Sequence, residues 1–246
     1  MKARIDESLE QAYRSVMVLI PAYNAERTLA QVIREVHGVS PMLPVMVVDD
    51  GSSDGTAKVA AEAGASVVSH PQNLGKGAAL RTGFRHFLGT DLRAVITLDA
   101  DGQHSPAEIS ALIERWLATG ADIVIGTRRR GAGGMPRLRV ITNTLGSLLV
   151  SLSAGKYIHD SQSGYRLLSR RVAGDVKTTS RGYGAESEIL IKAVAQGFTV
   201  TSAPISTIYR GERSYIHPLK QPLLFLGLIF RSLFWRFERV GKQQAR

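Results

Sequence analysis

The chain of 246 residues can bury one sizeable core, and its 44% hydrophobic and 21% charged content is ordinary for a globular protein. It has no cysteine, which excludes disulfides, thiolate metal sites and cysteine nucleophiles. The formal charge of +10 suits anionic partners, among which nucleic acid, anionic lipid and phosphorylated substrates are not separated by charge alone.

Residues 1–14 are polar, carry Asp6, Glu7 and Glu10, and lack the basic and apolar regions of a secretory signal, so a cytoplasmic location is expected. Strand-like and helix-like segments then alternate, the pattern of βαβ units around a parallel sheet. Strands are expected over 16–20, 45–49, 66–69, 94–98 and 122–126, and helices over 25–36, 55–63, 76–87 and 106–118. Short loops follow the strands, which favours a doubly wound α/β unit.

The strand ends carry the chemistry, because open α/β sheets bind ligands at their carboxyl edge. The first strand runs into Pro21, Tyr23, Asn24 and Glu26, a turn that brings a helix amino end to that edge. The second ends in Asp49-Asp50-Gly51, where an acid accepting from a ribose or a base edge is chemically reasonable; Asp54 reads as a helix cap. Asn73-Leu74-Gly75-Lys76-Gly77 opens a helix with a lysine at its start, without the spacing of a Walker loop. The fourth strand ends in Asp99-Ala100-Asp101, followed by Gln103 and His104. Two carboxylates one residue apart suit magnesium or manganese, hard ions that complete their shell with water and phosphate oxygens. An isolated pair of this kind more often fills a turn; its company at successive strand ends favours a metal and diphosphate site.

Beyond residue 130 the alternation fails. Residues 131–134 read as a loop and 138–152 as an apolar-rich helix, and only basic charges lie between Asp122 and Asp160. Glu186 and Glu188 stand on an expected helix; one of them could reach the site, but both read more simply as solvated or capping acids. From Arg210 to the end, eight basic residues face two acidic ones and interleave with the run PLLFLGLIF. That run is shorter than the about 20 residues of a spanning helix and suits a helix lying in a membrane interface, or one packing on the domain.

VLIPAYNAE (18–26), VVDDGSSDGT (47–56), NLGKG (73–77) and TLDADGQH (97–104) together resemble the nucleotide-sugar half of family-two glycosyltransferases. DSQSGYR (160–166) and ISTIYRGERSYIHPL (205–219) resemble, more narrowly, the dolichol-phosphate mannose and glucose synthase branch. The resemblance implies a GT-A fold, a nucleoside diphosphate sugar donor, Mg2+ or Mn2+, and inversion at the sugar. Pro21, Tyr23, Glu26, Asp49 and Asp50 would hold the nucleoside with Lys76 nearby. Asp99 and Asp101 would meet metal and diphosphate beside Gln103, Arg166 would face the acceptor or donor phosphate, and Asp160, Arg166 and Asp101 would serve catalysis. Arg128, Arg210 and Arg213 fit an acceptor phosphate.

A GT-A catalytic domain over 1–205, a mostly parallel central sheet flanked by helices, is therefore expected, with a donor half at about 16–126 and an acceptor half at about 127–205, followed over 206–246 by an acceptor loop and an amphipathic, membrane-associating C-terminal helix. The expected reaction moves glucose or mannose from UDP-glucose or GDP-mannose to polyprenyl phosphate at the inner face of the membrane, with peripheral membrane contact and no nucleic acid partner. The alternatives are transfer to a saccharide hydroxyl, and a non-catalytic nucleotide- or nucleic-acid-binding module.

Overall fold

The computed structural model describes residues 9–128, 147–148, 150–152, 155, 157–158, 160–182 and 184–206. The side chain of Arg128, the loop at 131–134, most of the helix expected over 138–152, Arg210, Arg213 and the apolar basic run near the end lie outside the described residues.

The strands are β1 (Val16–Ala22), β2 (Val45–Asp49), β3 (Ser66–Ser69), β4 (Ala94–Thr97), β5 (Ile123–Arg128), β6 (Arg166–Ser169) and β7 (Val200–Ile205). The helices are α1 (Glu26–Val39), α2 (Thr56–Glu62), α3 (Lys76–Leu88), α4 (Ile109–Thr119), α5 (Arg170–Asp175) and α6 (Gly184–Ala195). The first five strands and four helices fall where the sequence places them, within a few residues at their ends. The strands form one seven-stranded sheet in the order β3-β2-β1-β4-β6-β5-β7. All neighbours are parallel except β6, which runs antiparallel to both β4 and β5.

Continuous apolar runs form the central strands because both faces of the sheet are covered. On β1, Val16, Val18 and Ile20 join one core with Leu29, Val32, Ile33, Ile96, Leu112 and Trp116. Met17 and Leu19 point the other way, into a second core with Leu80, Phe84, Phe87, Leu168, Ile189 and Leu190. Alternate side chains on one strand thus serve two helical layers. Helix α1 buries Leu29, Val32, Ile33 and Val36, a stripe at helical spacing. Helix α4 stops at Gly120, whose left-handed φ of 60° suits a glycine cap.

Strands β6 and β7 were not expected from the sequence. Each is short, and β7, which among the described residues has a neighbouring strand on one side, contains Pro204, a residue tolerated in such edge positions. The chain leaves β1 toward β2 and β3 on one side and returns to β4 on the other. This reversal opens a crevice between the carboxyl ends of β1 and β4, the usual ligand position in such sheets.

Helix α3 crosses β1 closely at Gly83, where a Cβ would lie 2.3 Å from Leu19 Cδ1 and 2.9 Å from its Cγ. Leu19 is fully buried and has no room to swing aside. Overpacking of this kind costs about 1–3 kcal/mol, against a helix-propensity gain of about 1 kcal/mol for alanine over glycine. Gly83→Ala is expected to destabilise the protein on balance, with a lower urea midpoint in chemical denaturation; an unchanged or higher midpoint would show that the helix moves away freely.

Candidate active site

The first two strand-end loops are stitched together by mutual capping. Asn24, at a positive φ of 49°, accepts from the Ser53 amide at 2.9 Å, and its own amide donates to Ser52 Oγ at 2.9 Å. The Ala25 amide donates to Thr56 Oγ1 at 2.8 Å. Glu26 accepts from the Gly55 amide at 3.1 Å, and Asp54 accepts from the Thr56 amide at 3.0 Å and the Glu26 amide at 3.3 Å. The free amides at the starts of α1 and α2 are thus satisfied across loops. Asp54, one residue before the Gly55 N-cap, accepts the first amide of each helix in place of the cap expected from its sequence context. Glu26, expected at the nucleoside, spends one carboxylate oxygen on this clasp. Tyr23, half exposed, and Pro21, near the end of β1, stand at the mouth of the crevice.

The neighbouring aspartates of β2 are both buried but do different work. Asp49 accepts from the Ser52 amide at 3.1 Å and shapes its own turn. Asp50 takes His70 Nδ1 at 2.7 Å, the Leu74 amide at 3.0 Å and the Gly75 amide at 2.7 Å. His70 Nε2 reaches Thr82 Oγ1 on α3 at 2.9 Å. The Asp50 carboxylate, expected to meet a nucleoside, is turned into the protein, where it fixes the loop that delivers Lys76.

Lys76 begins α3, and its ammonium lies 2.6 Å from Asp99 Oδ1 and 2.8 Å from Glu186 Oε1. Burial alone would pull the lysine down, but the Asp99 and Glu186 carboxylates hold it above its ordinary pKa. Burial likewise pushes Asp99 up, yet Lys76, with smaller help from His104 and Arg166, brings it below the usual carboxylate value. The two acids approach each other over Gly164. A Cβ there would lie 2.8 Å from Asp99 Oδ2 and 2.9 Å from Glu186 Oε1, so any larger residue would force them apart. Next in the chain, Asp101 accepts from the Gln103 amide at 3.0 Å, folding the turn after β4. His104 is buried against the Tyr165 ring, their centroids 5.4 Å apart.

Arg166 was expected to face an acceptor or donor phosphate. It is instead among the largest fully buried side chains, and its guanidinium donates to the carbonyls of Ser163, Glu186 and Ser161, each at 2.7 Å. Burial lowers its pKa, opposed by the Glu186, Asp160 and Asp99 carboxylates nearby. It ties the 160–166 loop to the first turn of α6, and so positions Glu186. Asp160, at a positive φ of 46°, closes that loop by accepting the Ser163 amide at its carbonyl, 3.0 Å away.

Glu186 and Glu188 are not solvated acids: α6 is buried almost all round. Glu186 joins the lysine. Glu188, fully buried, takes Thr178 Oγ1 at 2.6 Å, the Thr179 amide at 3.0 Å, the Ser180 amide at 2.8 Å and Lys192 Nζ at 2.6 Å. This knot holds residues 178–181 as a strap across the start of α3. The Gly77 amide donates to the Arg181 carbonyl at 2.7 Å, Arg81 donates to the Ser180 carbonyl at 2.8 Å, and a Cβ on Gly77 would lie 2.2 Å from that Ser180 oxygen. Gly77 of NLGKG is therefore required by close protein backbone.

No cluster of three or more His, Asp or Glu side chains suited to a metal occurs among the described residues. Asp99 and Asp101 supply a smaller, all-oxygen donor set, which fits a hard divalent ion that takes the rest of its shell from water and diphosphate. No described helix is long and apolar enough to cross a membrane.

Residues 17–176 match glycosyl transferase family 2, and the chain belongs to that family. It is 30% identical over 213 residues to polyprenol monophosphomannose synthase of Mycolicibacterium smegmatis, covering 82% of this chain and 80% of that protein. It is also 30% identical over 206 residues to undecaprenyl-phosphate mannosyltransferase of Micrococcus luteus, covering 79% and 84% of the two chains. The fold is similar to crystalline glucosyl-3-phosphoglycerate synthase of Mycobacterium tuberculosis, with a TM-score of 0.71 and 24% identity over 94% of this chain and 83% of that one. The GT-A fold and the glycosyltransferase class follow from these matches together.

Despite the opposing effect of burial, bonds from Lys192, Thr178 and Ser180 hold the Glu188 carboxyl at a pKa of about 2, from an ordinary 4.5. Its stabilising contribution is complete above the unfolded value and is lost as pH falls from 4.5 toward about 2. Glu188→Gln is expected to lower stability at neutral pH by roughly 2 kcal/mol and to flatten the stability profile across that acid window. Urea denaturation of both proteins over that range checks it; parallel profiles would refute the assignment.

Proposed function

We propose that this family 2 glycosyltransferase moves a hexose, glucose or mannose, from a nucleoside diphosphate to a polyprenyl phosphate, with inversion and with Mg2+ or Mn2+. The observation that carries the chemistry is the convergence of Asp99, Asp101 and Lys76 at the carboxyl edge of β4 and the start of α3. The polyprenyl phosphate acceptor is supported by the two polyprenyl-linked relatives, each matched over about four-fifths of both chains. The manganese bound in the structural neighbour supports a divalent ion.

In this reading Pro21, Tyr23 and Asp49 line the nucleoside, and Asp99 and Asp101 hold the metal beside Gln103. When bound, the ion acts as a Lewis acid on the diphosphate that leaves with the electrons of the anomeric C–O bond. Lys76 adds a second cation beside it, supplied by the protein before the donor arrives. An acceptor phosphate oxygen then forms the new bond from the opposite face of the sugar. A phosphate monoester, with a second pKa of about 6, is largely dianionic at neutral pH and needs no base. Asp160 therefore orients groups rather than removing a proton, while an alcohol acceptor would need it as a general base. Arg128, Arg210 and Arg213 pair with the acceptor phosphate, and the basic apolar segment after residue 206 meets the cytoplasmic face of the membrane.

The test is turnover with UDP-glucose and GDP-mannose on a short polyprenyl phosphate, with Mg2+ or Mn2+, followed as lipid-linked hexose. Transfer is expected with one donor and is expected to stop with a chelator; transfer only to a saccharide hydroxyl would overturn the acceptor assignment.

Asp160→Asn preserves a side chain that tolerates the positive φ. It is expected to retain lipid phosphate transfer within about tenfold of the parent, because no proton is removed in that reaction. Complete loss, with donor binding intact, would make Asp160 a base after all.

A further inference from the structure

The cation position beside Asp99 is filled by the protein itself. The Lys76 ammonium contacts Asp99 Oδ1 and Glu186 Oε1 together, and Gly164 allows both acids to close on it. A divalent ion taking Asp99 would stand within a few ångströms of that ammonium, where two positive charges repel strongly in a partly buried site. The Glu186 carboxylate, already in contact with the lysine, offers it a retreat. That carboxylate is itself held by the buried helix α6, whose first turn is fixed by the Arg166 bond to the Glu186 carbonyl.

We infer that Lys76 is a resident counter-ion that the metal displaces from Asp99, and that Glu186 is the positioning residue that retains the displaced ammonium beside the diphosphate. The inference rests on the metal and donor reading above. Metal alone must break an existing ion pair to bind, whereas metal arriving with a diphosphate gives the ammonium new phosphate oxygens to face. Ion and nucleotide should therefore bind cooperatively, and the empty site should resist metal.

Mn2+ binding to the nucleotide-free protein, followed by loss of the free-ion EPR signal, reads this without turnover. Lys76→Met is expected to bind Mn2+ about tenfold tighter or more than the parent. Should that variant fail to fold, Lys76→Gln tests the same loss of charge and is expected to shift in the same direction. Equal or weaker Mn2+ affinity in the folded variant would overturn the displacement. Glu186→Gln removes one of the two carboxylate charges in contact with the ammonium and is expected to weaken Mn2+ binding in the parent, with most of that effect gone in the Lys76→Met background. Equal weakening in both backgrounds would make Glu186 a direct metal ligand and overturn its positioning role. Calorimetry of the parent with Mn2+ and UDP or GDP separates the two levels. If neither nucleotide binds, the donor reading itself fails and the inference falls with it. If one binds while Lys76→Met gains no Mn2+ affinity, only the displacement fails.

Discussion

One ammonium group holds the site together. Lys76 comes from the start of α3, Asp99 from the end of β4 and Glu186 from the first turn of α6, and the lysine nitrogen is where the three meet. Taking such charges out of water costs several kcal/mol per ion, and stripping away one partner leaves an uncompensated buried charge. A lysine at a helix amino end also opposes the helix dipole, at a cost of about 0.3–1 kcal/mol. Neither term favours the fold. The mutual attraction of the lysine and its carboxylates offsets that burial, and the arrangement is intelligible as preorganised charge for an anionic ligand.

The surrounding shell exists to keep that ammonium in place, and it works mostly through backbone groups. Asp50 fixes the amides of Leu74 and Gly75 just before the lysine, and the strap at 178–181 presses on Gly77 just after it. Glu188 fixes the strap, and Arg166 fixes the turn that presents Glu186. Asp50 and Arg166, two charged side chains that look like ligand groups in the sequence, thus spend their hydrogen bonds on the protein. Bonds between a buried charged group and backbone partners are stronger than neutral ones and leave little slack, which suits a support for a site whose geometry must hold.

How far the sequence could be read follows from the same division. Strands β1 to β5 and helices α1 to α4 are legible because a strand covered on both faces is a continuous apolar run and an amphipathic helix shows its stripe. The D-x-D turn is legible because it follows such a run. Asp49 and Asp50 cannot be told apart in sequence, since the returning loop at 70–75 decides which carboxylate is consumed. Arg166 announces a cation, but its acceptors are carbonyls at 161, 163 and 186, assembled only by the tertiary fold. Glu186 and Glu188 resemble a solvated face until α6 is seen to be buried nearly all round, a case in which polar positions lose their usual meaning. Strand β6 has four residues and no periodicity to reveal it.

The direction of β6 explains why the second half of the chain contributes to the first half's site. Arg166, at the amino end of β6, pairs with Thr97, the last residue of β4, because the two strands are antiparallel. The 160–165 loop therefore arrives at the carboxyl edge, beside Asp99, and the Thr97 hydroxyl secures it by donating to the Gly164 carbonyl at 2.7 Å. A parallel strand at this place would have carried Asp160, Gly164 and Arg166 to the opposite edge. Strand β7, parallel to β5, ends at the ligand edge again. There the Ser206 amide donates to both Glu108 carboxylate oxygens, at 2.8 and 2.9 Å, just after the D-x-D turn. The chain that leads on to Arg210 and Arg213 thus departs from the edge where a donor would lie. The reversed strand β6 thus brings the 160–165 loop, and the parallel strand β7 the end of the described chain, to one and the same edge of the sheet.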